Sequence, residues 1–160
     1  MSAVDPSMSR RSLSDQLAPF WVEWLAYKTD ALDRFVTHDV PQLPSDRYSE
    51  TGIRVAEQAL LARFTALETA DPDDSLLTRF GCYLGETLTE ALDGYWFNDP
   101  FPDPRLPRPT VRFLYTDVRL CVREQVVLAL HYRSGTYWSQ IYRALSGLCV
   151  TWWESGHSRR

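Results

Sequence analysis

Two carboxylates and a thiol fall on one face of a predicted helix near the middle of the chain. Cys82, Glu86 and Glu90 are four residues apart, so their side chains lie one above the other along the helix. Two close carboxylates can hold a cation or act as an acid and base pair. No histidine lies within a turn of them. The sequence therefore favours a structural use for Glu86, as an ion pair with Arg112, and predicts no metal, no cofactor and no catalytic residue.

The helix that carries these side chains is amphipathic. Its apolar positions recur at helical spacing and should form one buried stripe, made of Leu77, Phe80, Leu84, Leu88 and Ala91. Gly81 and Gly85 stand one turn apart inside the helix, which indicates close approach by another backbone. Gly94 is the expected left-handed residue that ends the helix. The aromatic residues 95–97 then predict a strand.

The elements around this helix predict an α+β fold. Two helices precede it, near residues 17–37 and after a cap at Ser49, and it begins near Ser75 after an acidic loop. Five prolines within residues 98–109 predict a stiff connection. Residues 110–116 alternate as a strand does, and residues 118–122 are either a third strand or the start of the next helix. Two helices close the chain, at 124–132 and after a cap at Ser134 or Thr136.

Size and composition indicate one domain. Of 160 residues, 44% are hydrophobic and 13% aromatic, which suits a single packed core at 12–155 with tails at 1–11 and 156–160. No apolar run approaches the roughly 20 residues that span a bilayer, and the N-terminus is not signal-like, so we expect a cytoplasmic protein. Three widely spaced cysteines predict buried free thiols rather than disulfides or a zinc site.

Charge is unevenly divided along the chain. The net charge is −4, but residues 1–100 hold 17 acidic against 8 basic residues, and residues 101–160 hold 4 against 9. The arginines of residues 105–123 are interpreted either as partners of the acidic helices or as a basic patch for nucleic acid. Because the chain as a whole is acidic, pairing with the acidic helices is favoured over binding to nucleic acid.

Acidic and aromatic side chains are the candidates for contact with a protein partner. The acids are expected on the outer faces of the second and third helices, and the aromatic anchors beside the proline-rich connection and at the end of the last helix. The predicted partner-binding residues are Glu57, Glu68, Asp73, Asp74, Phe101 and Trp153.

A short pattern in the middle of the chain resembles one group of proteins. The order Tyr83-Leu84-Gly85-Glu86, followed by Gly94-Tyr95-Trp96, is similar to small, mostly uncharacterised actinobacterial α+β proteins in which a YLGE helix leads into a GGxW strand. Asp93 replaces the first glycine of the second element. The resemblance implies an α+β fold and supplies no catalytic residue.

The sequence favours a non-enzymatic protein-binding domain, either an immunity or antitoxin-like partner of a basic toxin or an accessory protein of a bacterial secretion or defence system. It leaves the oligomeric state open. The alternative is an enzyme or small-ligand binder with a pocket between the third helix and the sheet. That pocket would use four polar side chains, those of Tyr83, Glu86, Arg112 and His131.

Overall fold

The computed structural model describes residues 15–65, 75–99 and 107–157. Within them it contains five α-helices and a three-stranded antiparallel sheet of order β1-β2-β3. In chain order the elements are α1 (Pro19–Arg34), α2 (Glu50–Arg63), α3 (Ser75–Leu92), β1 (Tyr95–Asn98), β2 (Pro109–Arg112), β3 (Arg119–Cys121), α4 (Val122–Tyr132) and α5 (Tyr137–Glu154). The predicted α+β class, with the sheet between N-terminal and C-terminal helices, is confirmed.

Helix α3 lies at the centre of the fold. It packs against all four other helices and against β1 and β2. The predicted stripe is buried at Phe80, Leu84 and Leu88, and burial extends to Gly81 and Gly85. The sequence predicts that another backbone approaches these two glycines. A Cβ at Gly81 would meet Val122, with the side chain at 3.3 Å and the backbone carbon at 3.8 Å. At Gly85 the neighbour is a side chain, because a Cβ there would overlap the Trp96 ring.

The turn after α3 differs from the prediction. Asp93, not Gly94, adopts the left-handed conformation, with φ of 51°. Aspartate enters this region at lower cost than most residues because its short side chain can hydrogen-bond locally. Here Asp93 Oδ2 accepts the indole N–H of Trp153 at 2.7 Å, which fixes the side chain. Gly94 is required for space instead, because a Cβ there would crowd Val111 and Phe113.

The strand predicted at residues 95–97 is present, and the one predicted at 110–116 is present only over Pro109–Arg112. The ambiguous segment 118–122 is a strand at its centre, Arg119–Cys121. Val111 and Phe113 face the core, as the alternating pattern predicts. β3 ends at Cys121, and α4 begins at the next residue. Helix α4 begins two residues earlier than predicted, and its core-facing side chains are those of Val122, Val126 and Leu130.

Two contacts hold the N-terminal part of the chain against the rest. Helix α1 continues into a π-helical turn, Phe35–Asp39, whose last residue forms a two-pronged ion pair with Arg79 of α3. At the sheet, the side-chain amide of Gln16 donates to the backbone carbonyl of Asn98 and accepts its N–H, each at 2.8 Å. Gln16 therefore covers the outer edge of β1 as a short strand would.

Candidate functional site

Glu86 is engaged by a lysine and a tryptophan, not by Arg112. Its Oε2 lies 2.6 Å from Lys28 Nζ of α1 and accepts the Trp96 indole N–H at 2.9 Å. The side chains of Lys28 and Glu86 are only 14% and 17% exposed. The predicted Glu86–Arg112 pair is therefore wrong. The sequence missed Lys28 although it is the only lysine in the chain.

Aromatic rings surround this ion pair. Trp21 and Trp24 are stacked with centroids 5.0 Å apart, and Trp24 lies 5.1 Å from Trp96. Lys28 Nζ is 5.4 Å from the Trp96 centroid, within cation–π range. The ammonium therefore contacts both a carboxylate and an indole face. Trp96 can lie flat on α3 only because Gly85 has no side chain.

The acid and base pair considered for α3 does not have the expected geometry. Glu86 is paired with Lys28, and Glu90 is exposed one turn later. Burial raises the pKa of the Cys82 thiol to about 12, so it is neutral at physiological pH. Within the described ranges, no group of three or more His, Cys, Asp or Glu residues is placed to hold a metal ion.

Glu57 was predicted to contact a partner, and its burial contradicts this. The residue is fully buried, and its two oxygens accept the backbone N–H groups of Tyr137 at 3.0 Å and Trp138 at 2.9 Å. These are the first two residues of α5, whose expected cap Thr136 makes no side-chain capping bond. Glu57 therefore supplies the cap from α2. Burial raises its pKa above the usual value.

Two further contacts lie at the ends of α2. Arg133, the residue that follows α4, has φ of 52° and donates to the carbonyl oxygens of Phe64 at 2.7 Å and Leu61 at 2.9 Å, at the C-terminal end of α2. Arg143 of α5 pairs with Glu50 at the N-terminal end of α2, at 2.6 Å. Because Glu57 contacts the start of α5 and Glu50 contacts a later residue of it, α2 and α5 are antiparallel.

Four of the six predicted partner-binding residues lie outside the described residues: Glu68, Asp73, Asp74 and Phe101. Trp153 is described. It is half-buried, and its indole N–H is bonded to Asp93. Its role as a partner anchor stays a prediction. The neighbouring Trp152 is also half-buried and stacks on His157 at 3.5 Å.

Arg112 lies apart from Glu86, on the sheet. Its guanidinium carbon is 3.7 Å from the centroid of the Phe97 ring. Its Nε is buried and has no hydrogen-bond partner. The other polar groups proposed for a pocket are engaged separately. The Tyr83 hydroxyl donates to the carbonyl of Arg47 at 2.5 Å, and His131 packs edge-on against Tyr132 at the exposed end of α4.

The exposed side of α1 combines carboxylates with apolar side chains. We call this surface the outer face of α1 and define it by Val22, Glu23, Ala26, Tyr27, Asp30 and Asp33, all exposed. Val22 and Tyr27, at its edges, are 54% and 40% exposed. None of the three carboxylates makes an ion pair within the described part of the chain. Helical spacing places Trp21, Ala31 and Leu32 on the opposite, buried side.

Comparison with protein-family models, with curated proteins and with solved structures found no match to the chain. The resemblance to actinobacterial α+β proteins stays a prediction. Among the helices in the described ranges, none combines the length and apolar character needed to cross a bilayer.

Proposed function

We propose that this chain is a non-enzymatic protein-binding domain that uses the outer face of α1 to bind a basic protein. In this proposal the chain acts either as an immunity or antitoxin-like protein that binds a basic toxin, or as an accessory protein of a bacterial secretion or defence system. The observation that carries the proposal is the exposure of Val22 and Tyr27 beside three unpaired carboxylates.

The composition of this face suits a protein interface. Exposed apolar side chains give contact area, and tyrosine is among the residues enriched at binding hot spots. The buried side of α1 is fixed by the stacked Trp21 and Trp24 and by the ion pair of Lys28 with Glu86. The outer face is therefore presented on a rigid helix, which lowers the entropic cost of binding.

The charge of this face favours a basic partner. Glu23, Asp30 and Asp33 are exposed and form no ion pair within the described residues, whereas Glu57 and Glu86 are bonded inside the protein. With the exposed Arg34 on the same helix, three carboxylates against one arginine leave this face net negative, and a net negative face attracts a positively charged surface and speeds its association. The proposal adds α1 to the acidic surface predicted from the sequence, of which Glu57 is excluded by its burial and Glu68, Asp73 and Asp74 stay predictions.

The geometry gives less support to the alternative, a ligand pocket between α3 and the sheet. That reading requires Glu86 and an arginine to converge on one cavity. Glu86 instead forms a closed contact with Lys28 and Trp96, while the Arg112 guanidinium lies over Phe97. The Tyr83 hydroxyl is bonded to a backbone carbonyl.

Affinity purification from the native host tests the proposal with two double variants. Asp30→Lys with Asp33→Lys reverses the charge of the outer face. Asp117→Lys with Glu154→Lys makes the same charge change at exposed positions elsewhere. We expect a basic protein in stoichiometric amount with the wild type and the second variant, and its loss with the first. Absence of any stoichiometric protein, or equal recovery with both variants, would refute the proposal.

A further inference from the structure

Two arginines lie side by side on one face of the sheet. Arg112 of β2 and Arg119 of β3 are Cα partners, and Tyr95 of β1 is the partner of Arg112 on the other side. Directly opposed residues in an antiparallel sheet project from the same face. Phe97, two residues after Tyr95, shares that face. The other face of these strands carries Trp96 and Val111, which pack into the core.

Nothing in the described residues neutralises this arginine pair. Among the described residues, the nearest carboxylates along the chain are those of Asp99, Asp117 and Glu124. Asp99 and Glu124 pair with Arg108, at 3.5 Å and 2.5 Å. Asp117, two residues before Arg119, forms no ion pair within the described ranges. Because like charges directly opposed across strands repel each other, the pair destabilises the unliganded sheet.

The Arg112 side chain is held in place by the Phe97 ring, and its Nε makes no hydrogen bond. Its guanidinium carbon lies 3.7 Å from the Phe97 ring centroid, which fixes the plane of the group. Its Nε is buried without an acceptor. Arg119 is exposed, so the pair is reachable from solvent.

We propose that Arg112 and Arg119 form a binding site for a phosphate dianion on this face of the sheet. Two guanidinium groups match the charge of a phosphate and offer it paired N–H donors in the geometry that arginine uses for oxyanions. Phosphate binding would remove the repulsion between the two guanidinium groups across the strands. The site lies on the sheet, is separate from the outer face of α1, and does not depend on the proposed protein partner.

Nuclear magnetic resonance of the full chain labelled with ¹⁵N-arginine tests this site. The Nε–H signals are followed while inorganic phosphate is added at constant ionic strength. We expect the Arg112 and Arg119 signals to follow one saturable curve. Arg119→Gln should weaken binding about tenfold, the loss expected for one charged hydrogen-bond donor. Acetate, with a single charge, should bind more weakly than phosphate.

Arg54→Gln is the control, because Arg54 is an exposed arginine on α2 and its loss changes the net charge equally. It should leave phosphate binding unchanged. Arg119 is exposed, so its variant tests the site even if Arg112 variants fail to fold. Shifts that do not saturate, equal weakening by Arg54→Gln, or equal binding of acetate would overturn the proposal.

Discussion

The carboxylate of Glu57 caps helix α5 from the neighbouring helix, accepting the backbone N–H of Trp138 at 2.9 Å and of Tyr137 at 3.0 Å. A helix N-terminus has unpaired N–H groups, and capping usually comes from a residue just before the helix. Here it comes from a residue about 80 positions earlier in the chain. Glu57 therefore ties the middle of α2 to the N-terminus of α5.

Removing the Glu57 cap should destabilise the protein strongly. Glu57→Ala loses the cap and leaves two buried N–H groups without acceptors, which should lower the free energy of unfolding by roughly 2–4 kcal/mol. The control is Glu50→Ala, which breaks the more exposed pair with Arg143 in the same interface and should cost less than about 1 kcal/mol. Chemical denaturation measures both. Equal losses would show that Glu57 has no special role.

The raised pKa of Glu57 makes part of the stability depend on pH. Burial raises this pKa above the ordinary value of 4.5, so the folded state binds the proton more tightly than the unfolded state. Stability from this group is therefore highest at low pH and falls as pH rises through 4.5 to the folded-state pKa. The stability of the wild type relative to Glu57→Gln should fall across that range and then level off. A difference that is flat or rises with pH contradicts this assignment.

Gly85 should not tolerate a methyl group. Gly85→Ala gains up to about 1 kcal/mol of helix propensity but forces the Trp96 ring away from α3, and such overpacking costs roughly 1–3 kcal/mol. We expect net destabilisation and a changed tryptophan emission spectrum. Gly147→Ala is the matched control, since no atom lies within 4 Å of its added Cβ on the exposed side of α5. It should be neutral or stabilising in thermal unfolding, and destabilisation by both substitutions would count against close packing as the cause.

Loss of Glu86 should cost more than loss of its neighbour Glu90. Glu86→Leu leaves the Lys28 ammonium and the Trp96 N–H without an acceptor in a partly buried site, which should cost roughly 1–3 kcal/mol. Glu90→Leu changes an exposed residue one turn away and should stay within about 0.5 kcal/mol. Chemical denaturation compares the two. Similar values would mean that the Lys28–Glu86–Trp96 contact contributes little.

The fold was predictable where a pattern repeats within one segment. The Leu84 and Leu88 stripe of α3 and the alternation of Val111 with Phe113 each indicate an element and its buried side without reference to the rest of the chain. The Ser49 cap is equally local, and its hydroxyl accepts the N–H of Gly52 as expected. Such signals depend on neighbours two to four residues away.

The site was harder to predict because its contacts join distant segments. The Lys28–Glu86 pair spans 58 positions, and the Glu57 cap spans about 80, so no spacing rule relates the partners. Glu57 was placed on the polar side of α2 because a carboxylate is normally solvated. Glu57 is buried because it caps α5, whose own N-cap residue Thr136 makes no side-chain capping bond. Since Ser134 and Thr136 both looked like adequate caps, nothing in the sequence indicated that the cap would come from α2.

Site-specific photo-crosslinking from the outer face of α1 tests the protein-binding proposal most directly. A photoreactive amino acid replaces Ala26, at the centre of that face, or Ala144, an exposed alanine on α5 used as the control. After irradiation in native-host cells, we predict that position 26 crosslinks to a single basic protein and that position 144 does not. No crosslinked protein at position 26, or the same product from both positions, would contradict the proposal.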